Sequence, residues 1–333
     1  METAELDYPL PDAAIARSGV EPRDAARLLV DRHDHVEHRR VHDLPSLLRP
    51  GDVVVLNDTR VLPARIRFRR PTGGSGEILL LTEEVDGWWE ALVRPSAKLA
   101  PGSRVELGDD LAFDIADDLG EGRRRVRPNL GGAELRDALG TYGEMPLPPY
   151  LGGVDLGDPE RYQTVYSARP ASAAAPTAGL HLTRAVLDGI REAGATPVAV
   201  ELVVGLGTFR PIATDRVEDH EMHAERYRIS LESWAAIRAA RRVIAVGTTT
   251  VRAIESAAVS GEMSGSTRLF IRRPYPWQVV DVLLTNFHLP RSSLLAMIDA
   301  FVGPRWRVLY ETALGEGYRF HSFGDAMLVE RSA

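Results

Sequence analysis

Three short apolar runs in the second half of the chain, residues 198–204, 243–246 and 279–284, each break off at a polar or glycine-rich segment. Amphipathic stretches stand between them. Runs this short suit strands, and buried strands that alternate with helices imply a parallel arrangement. Thr183 is placed to cap a helix whose inner face is Val186, Leu187, Ile190 and Ala193, with Gly194 at its end. Ser230 starts a second helix, with Ile229 and Trp234 as a hydrophobic staple. A third follows Gly247 and presents Val251, Ile254 and Ala258, and a fourth covers about residues 293–301. The expected fold class is α/β, a mainly parallel mixed sheet covered by helices.

The first half reads differently. Residues 51–56 form a buried strand entered through a glycine turn. From residue 62 to 127 the pattern changes to short strands of period two. Ala64, Ile66 and Phe68 alternate with Arg65, Arg67 and Arg69, and further strands are expected at 77–81, 88–93, 104–107 and 123–127. Gly73-Gly74, Asp86-Gly87, Pro101-Gly102 and Glu121-Gly122 separate them. Such spacing predicts a small β-barrel or sandwich. The expected division is therefore a discontinuous α/β domain, residues 1–60 and 148–333, interrupted by an inserted β-barrel domain at 61–147.

Composition removes several chemistries. The 333 residues include no cysteine, so thiolate nucleophiles, disulfides and cysteine-ligated metals are excluded. Lys98 is the single lysine, and no Gly-Lys-Ser/Thr motif exists, which excludes a P-loop. No apolar run approaches the ~18 residues of a membrane span. The acidic start, Met1-Glu-Thr-Ala-Glu5, has no signal-peptide core. A cytoplasmic protein is expected. The net charge of −7 means that an RNA partner would need a local basic patch. Arg65, Arg67, Arg69 and Lys98 supply one candidate, and a solvated strand face is the alternative.

Polar motifs gather at strand ends, where α/β folds assemble a single cleft. Asn57-Asp-Thr-Arg60 closes the 51–56 strand; it either binds a ligand or caps a turn. Ala175-Pro-Thr-Ala-Gly-Leu-His181 puts small residues and a histidine before a helix start, either a polar-ligand site or a buried histidine in a turn. Gly179 there either takes positive φ or lets a ligand approach. Gly247-Thr-Thr-Thr250 with Arg252 presents hydroxyls, amides and a charge suited to a carboxylate or phosphate. Two histidine clusters, His33/His35/His38/His42 and His220/His223, lack a defined coordination pattern; the first reads as a hairpin tip, and no metal is expected.

Seven motifs then share one resemblance. They are Asn57-Asp-Thr-Arg-Val-Leu-Pro-Ala-Arg65, Glu160-Arg-Tyr-Gln-Thr-Val-Tyr166, Ala175-Pro-Thr-Ala-Gly-Leu-His181, Val204-Gly-Leu-Gly-Thr-Phe-Arg-Pro211, Ala245-Val-Gly-Thr-Thr-Thr-Val-Arg252, Leu284-Thr-Asn-Phe-His-Leu-Pro290 and Gly324-Asp-Ala-Met-Leu328. In order and over nearly the whole chain, they resemble the S-adenosylmethionine:tRNA ribosyltransferase-isomerases of queuosine biosynthesis. The resemblance implies an enzyme, a transferase and isomerase of tRNA modification, that uses S-adenosylmethionine as co-substrate and binds no resident cofactor. The ribosyl group would pass to 7-aminomethyl-7-deazaguanine at the tRNA wobble position, giving epoxyqueuosine, adenine and methionine. Such chemistry needs a general base, a general acid and an anion clamp.

The resemblance suggests His181, His288, Asp281 and Asp58 as catalytic candidates. It suggests Arg60, Thr177, Gly179, Gly205, Gly207, Thr208, Arg210, Thr248, Thr249, Thr250, Arg252 and Asn286 as substrate-binding. Within that set, Arg252 with the threonines would clamp a carboxylate, and Asp58 with Arg60 would read the deazaguanine edge. The partners would be tRNA and S-adenosylmethionine, and a monomer is expected. This chain departs from the pattern at Val203, where the family usually has histidine, at Ala26, at Arg17 and at Arg273-Pro274. Valine can neither move a proton nor donate a hydrogen bond. Two other readings follow: a divergent relative with a small nucleoside or deazapurine acceptor, or a non-enzymatic RNA-binding protein.

Overall fold

The computed structural model describes residues 1–147, 149–151, 158–205 and 211–332. They form two compact units. The larger comprises residues 1–59, 158–168, 175–205 and 211–332; the smaller comprises 60–147, 149–151 and 169–174.

A nine-stranded sheet organises the larger unit. Its order is Ser264–Thr267, Glu225–Ile229, Thr196–Leu202, Asp52–Asn57, Arg242–Val246, Val282–Asn286, Ala326–Glu330, Arg27–Asp31 and Val36–Arg40. The four strands from Thr196–Leu202 to Val282–Asn286 run parallel. Asp52–Asn57, Arg242–Val246 and Val282–Asn286 are almost wholly buried, as strands covered on both faces are, whereas Thr196–Leu202 keeps exposed positions. Val54, Leu56, Ile244, Val246, Val282 and Leu284 pack on Val186, Leu187 and Ile190 of the helix Arg184–Glu192. The Thr183 hydroxyl caps that helix at Val186 N, and Gly194 follows it at φ +79°. Ser230 and Ser292 likewise cap Leu231–Ala239 and Ser293–Val302.

The sheet is less parallel than its sequence suggests. Among the described strands four pairings are parallel and four antiparallel. A parallel return needs a long crossover, usually a helix. No α-helix lies between Thr196–Leu202 and Glu225–Ile229 among the described residues, and the second strand runs back along the first. Arg27–Asp31 and Val36–Arg40 form a hairpin that turns at His33, φ +66°, where the sequence placed a hairpin tip. The helix Trp306–Gly315 was not legible, because Gly303-Pro304 interrupts the apolar pattern before it.

The smaller unit is a seven-stranded antiparallel sheet ordered Gly143–Glu144, Arg65–Arg69, Ser75–Glu83, Trp89–Arg94, Arg123–Pro128, Leu111–Gly120 and Arg104–Leu107. Among the described residues its first and last strands do not pair, so the sheet is an open half-barrel where a small barrel was expected. The long strand Leu111–Gly120 and the helix Gly132–Tyr142 add to the sequence reading.

Candidate active site

The parallel strands bring their carboxyl ends to one edge, and a cleft of about 620 Å³ opens there. Its walls come from six separate segments, one of them Val204 after Thr196–Leu202. The 3₁₀ turn Thr177–His181 contributes Thr177, and the end of Arg242–Val246 contributes Gly247, Thr248 and Thr249. Thr285, Asn286 and His288 come from the end of Val282–Asn286, Ser292 from the next helix start, and His321 and Ser322 from the last loop. Asn57 ties the strand ends behind the wall. Its amide donates to the Leu202 carbonyl (3.0 Å) and to Thr249 Oγ1 (3.2 Å), while its Oδ1 accepts from Leu202 N (3.1 Å).

The helix Thr248–Ser260 points its amino end into the cleft. Gly247 precedes it at φ +87°, a conformation that favours glycine, and among the described residues no side chain caps it. Its first amides are therefore left for an anion. Thr248 and Thr249 line the cleft; Thr250 turns inward and donates to the Val246 carbonyl at 2.7 Å.

Three histidines are buried around this region, and burial lowers the basicity of each. His181 falls to about 4, helped by the Arg319 charge, and His288 to about 3, helped by His321. His321 falls to about 4. All three imidazoles are neutral at pH 7. His288 Nε2 lies 2.9 Å from Thr285 Oγ1, and its backbone is pinned by the Tyr310 hydroxyl at N (3.0 Å) and the Tyr8 hydroxyl at O (2.5 Å). His321 holds φ +73°, a strained backbone for a residue with a side chain, and its Nδ1 is 3.2 Å from Ser322 Oγ. His181 Nε2 is 2.9 Å from Asn286 Nδ2. His181 also lines a second cavity of about 370 Å³ with Glu21, Arg23 and Arg161.

Of the residues singled out in the sequence, Thr177, Thr248, Thr249, Asn286 and His288 meet in the cleft, with His181 bonded to it through Asn286. Others do not. Asp281 precedes Val282–Asn286, so it sits at the opposite end of that strand, about 16 Å from Asn286 at ~3.3 Å per residue and farther from the cleft than that residue. Its carboxylate accepts from Val243 N at 2.9 Å and pairs with Arg331, a structural role. Arg252 is turned away from the cleft and buried against Glu225, with Nε on the Leu269 carbonyl at 3.1 Å. Its charge is already used, so it is no carboxylate clamp. Gly205 donates its amide to the same Glu225 at 3.0 Å. Asp58 lies in the larger unit and Arg60 in the smaller; neither lines the cleft. Gly207, Thr208 and Arg210 fall outside the described residues. Arg67, Arg69 and Lys98 are exposed on the smaller unit, and Arg65 is half-buried and donates to the Leu147 carbonyl. Sequence reading missed His321, Ser292 and Glu225. His321 stands three residues before the motif Gly324-Asp-Ala-Met-Leu328, outside every motif singled out in the sequence.

Gly179 serves packing rather than positive φ. A Cβ there would meet the buried Tyr166 hydroxyl at 2.0 Å and Thr164 at 3.0 Å. Gly179→Ala is expected to lower stability by about 1–3 kcal/mol through overpacking. Adding Tyr166→Phe, which removes the clashing oxygen, should recover part of it. Urea melts of the two variants check this, and equal stability of Gly179→Ala and the unmodified chain would refute it.

The family model described as "Queuosine biosynthesis protein" matches residues 3–329. The chain belongs to this family. An S-adenosylmethionine:tRNA ribosyltransferase-isomerase of Rubrobacter xylanophilus is 50% identical over 99% of this chain and 98% of its own. One of Thermus thermophilus is 50% identical over 97% and 98%. The crystal structure of an S-adenosylmethionine tRNA ribosyltransferase from Thermotoga maritima matches with a TM-score of 0.56 and 34% identity, covering 97% of this chain and 99% of that one. Val203, the departure noted in the sequence, is buried and bonded through its amide to the Arg226 carbonyl; its neighbour Val204, not Val203, lines the cleft.

Proposed function

We propose that this chain transfers and isomerises the ribosyl group of S-adenosylmethionine onto 7-aminomethyl-7-deazaguanine at the tRNA wobble position, releasing adenine and methionine. The observation that carries the reading is the cleft itself, which joins an uncapped helix amino end to buried neutral histidines. Relatives of about half-identical sequence bear the corresponding name over their full length.

In this reading the amides and hydroxyls of Thr248 and Thr249 receive the methionine carboxylate. The sulfonium acidifies its neighbouring 5′ CH₂, and a neutral imidazole from the His288–His321 pair takes that proton. The departing adenine needs a proton in turn, and the same pair returns it. Both imidazoles are unprotonated at pH 7 and free to accept a proton, and their lowered basicity makes the imidazolium so formed a strong acid for returning it. Gly205 borders the nucleoside. Exposed Arg67, Arg69 and Lys98 of the antiparallel unit contact the tRNA backbone, which makes binding salt-dependent. The discontinuous larger unit carries the chemistry and the inserted unit the RNA contact. The enzyme acts as a monomer in the cytoplasm; among the described residues no helix is long and apolar enough to cross a membrane.

Mass spectrometry of precursor-bearing tRNA incubated with S-adenosylmethionine tests this. The expected result is epoxyqueuosine in the tRNA with stoichiometric adenine and methionine. Adenine release with only the free deazaguanine base would overturn the tRNA assignment, and no turnover with either would overturn the reaction.

A further inference from the structure

We infer that Asn286 is a positioning residue which locks His181 as the neutral Nδ1–H tautomer, so that His181 serves the site as a hydrogen-bond donor and not as its base. The argument is one of donors and acceptors. Asn286 Nδ2 lies 3.3 Å from the Asp325 backbone carbonyl and 2.9 Å from His181 Nε2. A carbonyl oxygen can only accept, so the group facing it must be the NH₂ and not the amide oxygen. Its second hydrogen then points at His181 Nε2, which must accept. The amide is completed on its other side, where Thr177 Oγ1 donates to Oδ1 at 3.3 Å. With Nε2 accepting, the ring proton sits on Nδ1. Protonating Nε2 as well would set N–H against N–H.

The strand fixes this arrangement. Asn286 pairs with Ala326 at the end of Val282–Asn286, beside the Asp325 carbonyl it addresses. The charges around His181 do not compete for Nε2. Arg319 opposes a positive ring, and Arg23 and Arg161 share its cavity. Glu21 in that cavity is paired with Arg161. The Asp325 carboxylate is taken by the amides of Arg27 and Arg319, and Asp24 by Thr183. A neutral imidazole N–H polarises an acceptor atom without giving up a proton, which suits a heterocycle's ring nitrogen or exocyclic oxygen. Assigning Asn286 to substrate contact is thereby replaced. The catalytic consequence rests on the reaction proposed above, whereas the tautomer does not.

Nitrogen-15 correlation spectra of the histidine rings test the tautomer directly in the unmodified protein, with His181 assigned by its loss in His181→Gln. The expected pattern is a protonated Nδ1 and a bare Nε2 at pH 7. A protonated Nε2, or an even mixture, would overturn the inference whether or not the protein turns over S-adenosylmethionine. Asn286→Asp supplies an acceptor in place of the donor. It should move the proton to Nε2 and raise the His181 pKa by about 1–3 pH units. Should that variant fail to fold, Thr177→Val, which frees the amide oxygen, is expected to leave the Nδ1–H tautomer in place but broaden its signals. An unchanged titration in Asn286→Asp would count against the assignment.

Discussion

Replacing Glu225 with alanine is expected to destabilise the larger unit by about 3–5 kcal/mol, more than any other single change considered. Glu225 and Arg252 are both nearly inaccessible, with side chains 3% and 2% exposed, and they face each other as an ion pair. Burial lowers Arg252 to about 10, which still leaves it charged at neutral pH. Without Glu225 a guanidinium stays buried with, among the described residues, the Leu269 and Thr267 carbonyls as acceptors. The Gly205 amide loses its acceptor too. Glu225→Gln should cost less, because its one amide oxygen still accepts from either Gly205 or Arg252, which now bond separate carboxylate oxygens. Denaturant melts decide the matter. A Glu225→Ala loss below about 1 kcal/mol would mean that water reaches the pair.

How far the site was legible depended on whether a residue's partner was local. Thr183 and Ser230 were visible as a cap and a helix start because a cap and its helix are neighbours in sequence. Thr248, Asn286 and His288 were visible because a parallel strand must deliver its carboxyl end to the common edge. Arg252 was misread because its partner Glu225 lies 27 residues away on another strand, and no local pattern records that pairing. Asp281 was misread by a strand's length: it stands near His288 in the chain, but an extended backbone carries it to the far end. The direction of Ala326–Glu330 was hidden for the same reason. Nothing in its composition says that it runs antiparallel to Val282–Asn286 while running parallel to Arg27–Asp31.

The second large effect is acid sensitivity. His181, His288 and His321 have folded values near 4, 3 and 4, against an ordinary 6.5. A base whose folded value is depressed binds fewer protons folded than unfolded as pH drops below 6.5. The unfolded state is then favoured, and stability falls with falling pH until the folded values are reached. Between pH 7 and pH 5 each histidine should cost about 2 kcal/mol, since one pKa unit is worth about 1.4 kcal/mol. Ordinary carboxylates still carry their charge at pH 5 and contribute little in that window. Urea melts at pH 7, 6 and 5 should therefore show a steep loss, and His321→Asn should flatten it by roughly a third. A flat profile down to pH 5 would mean that the cleft hydrates and lets its histidines charge without unfolding. The neutral imidazoles on which the proposed proton transfers depend would then be absent under mildly acidic assay conditions, and turnover would fall over the same range while stability held.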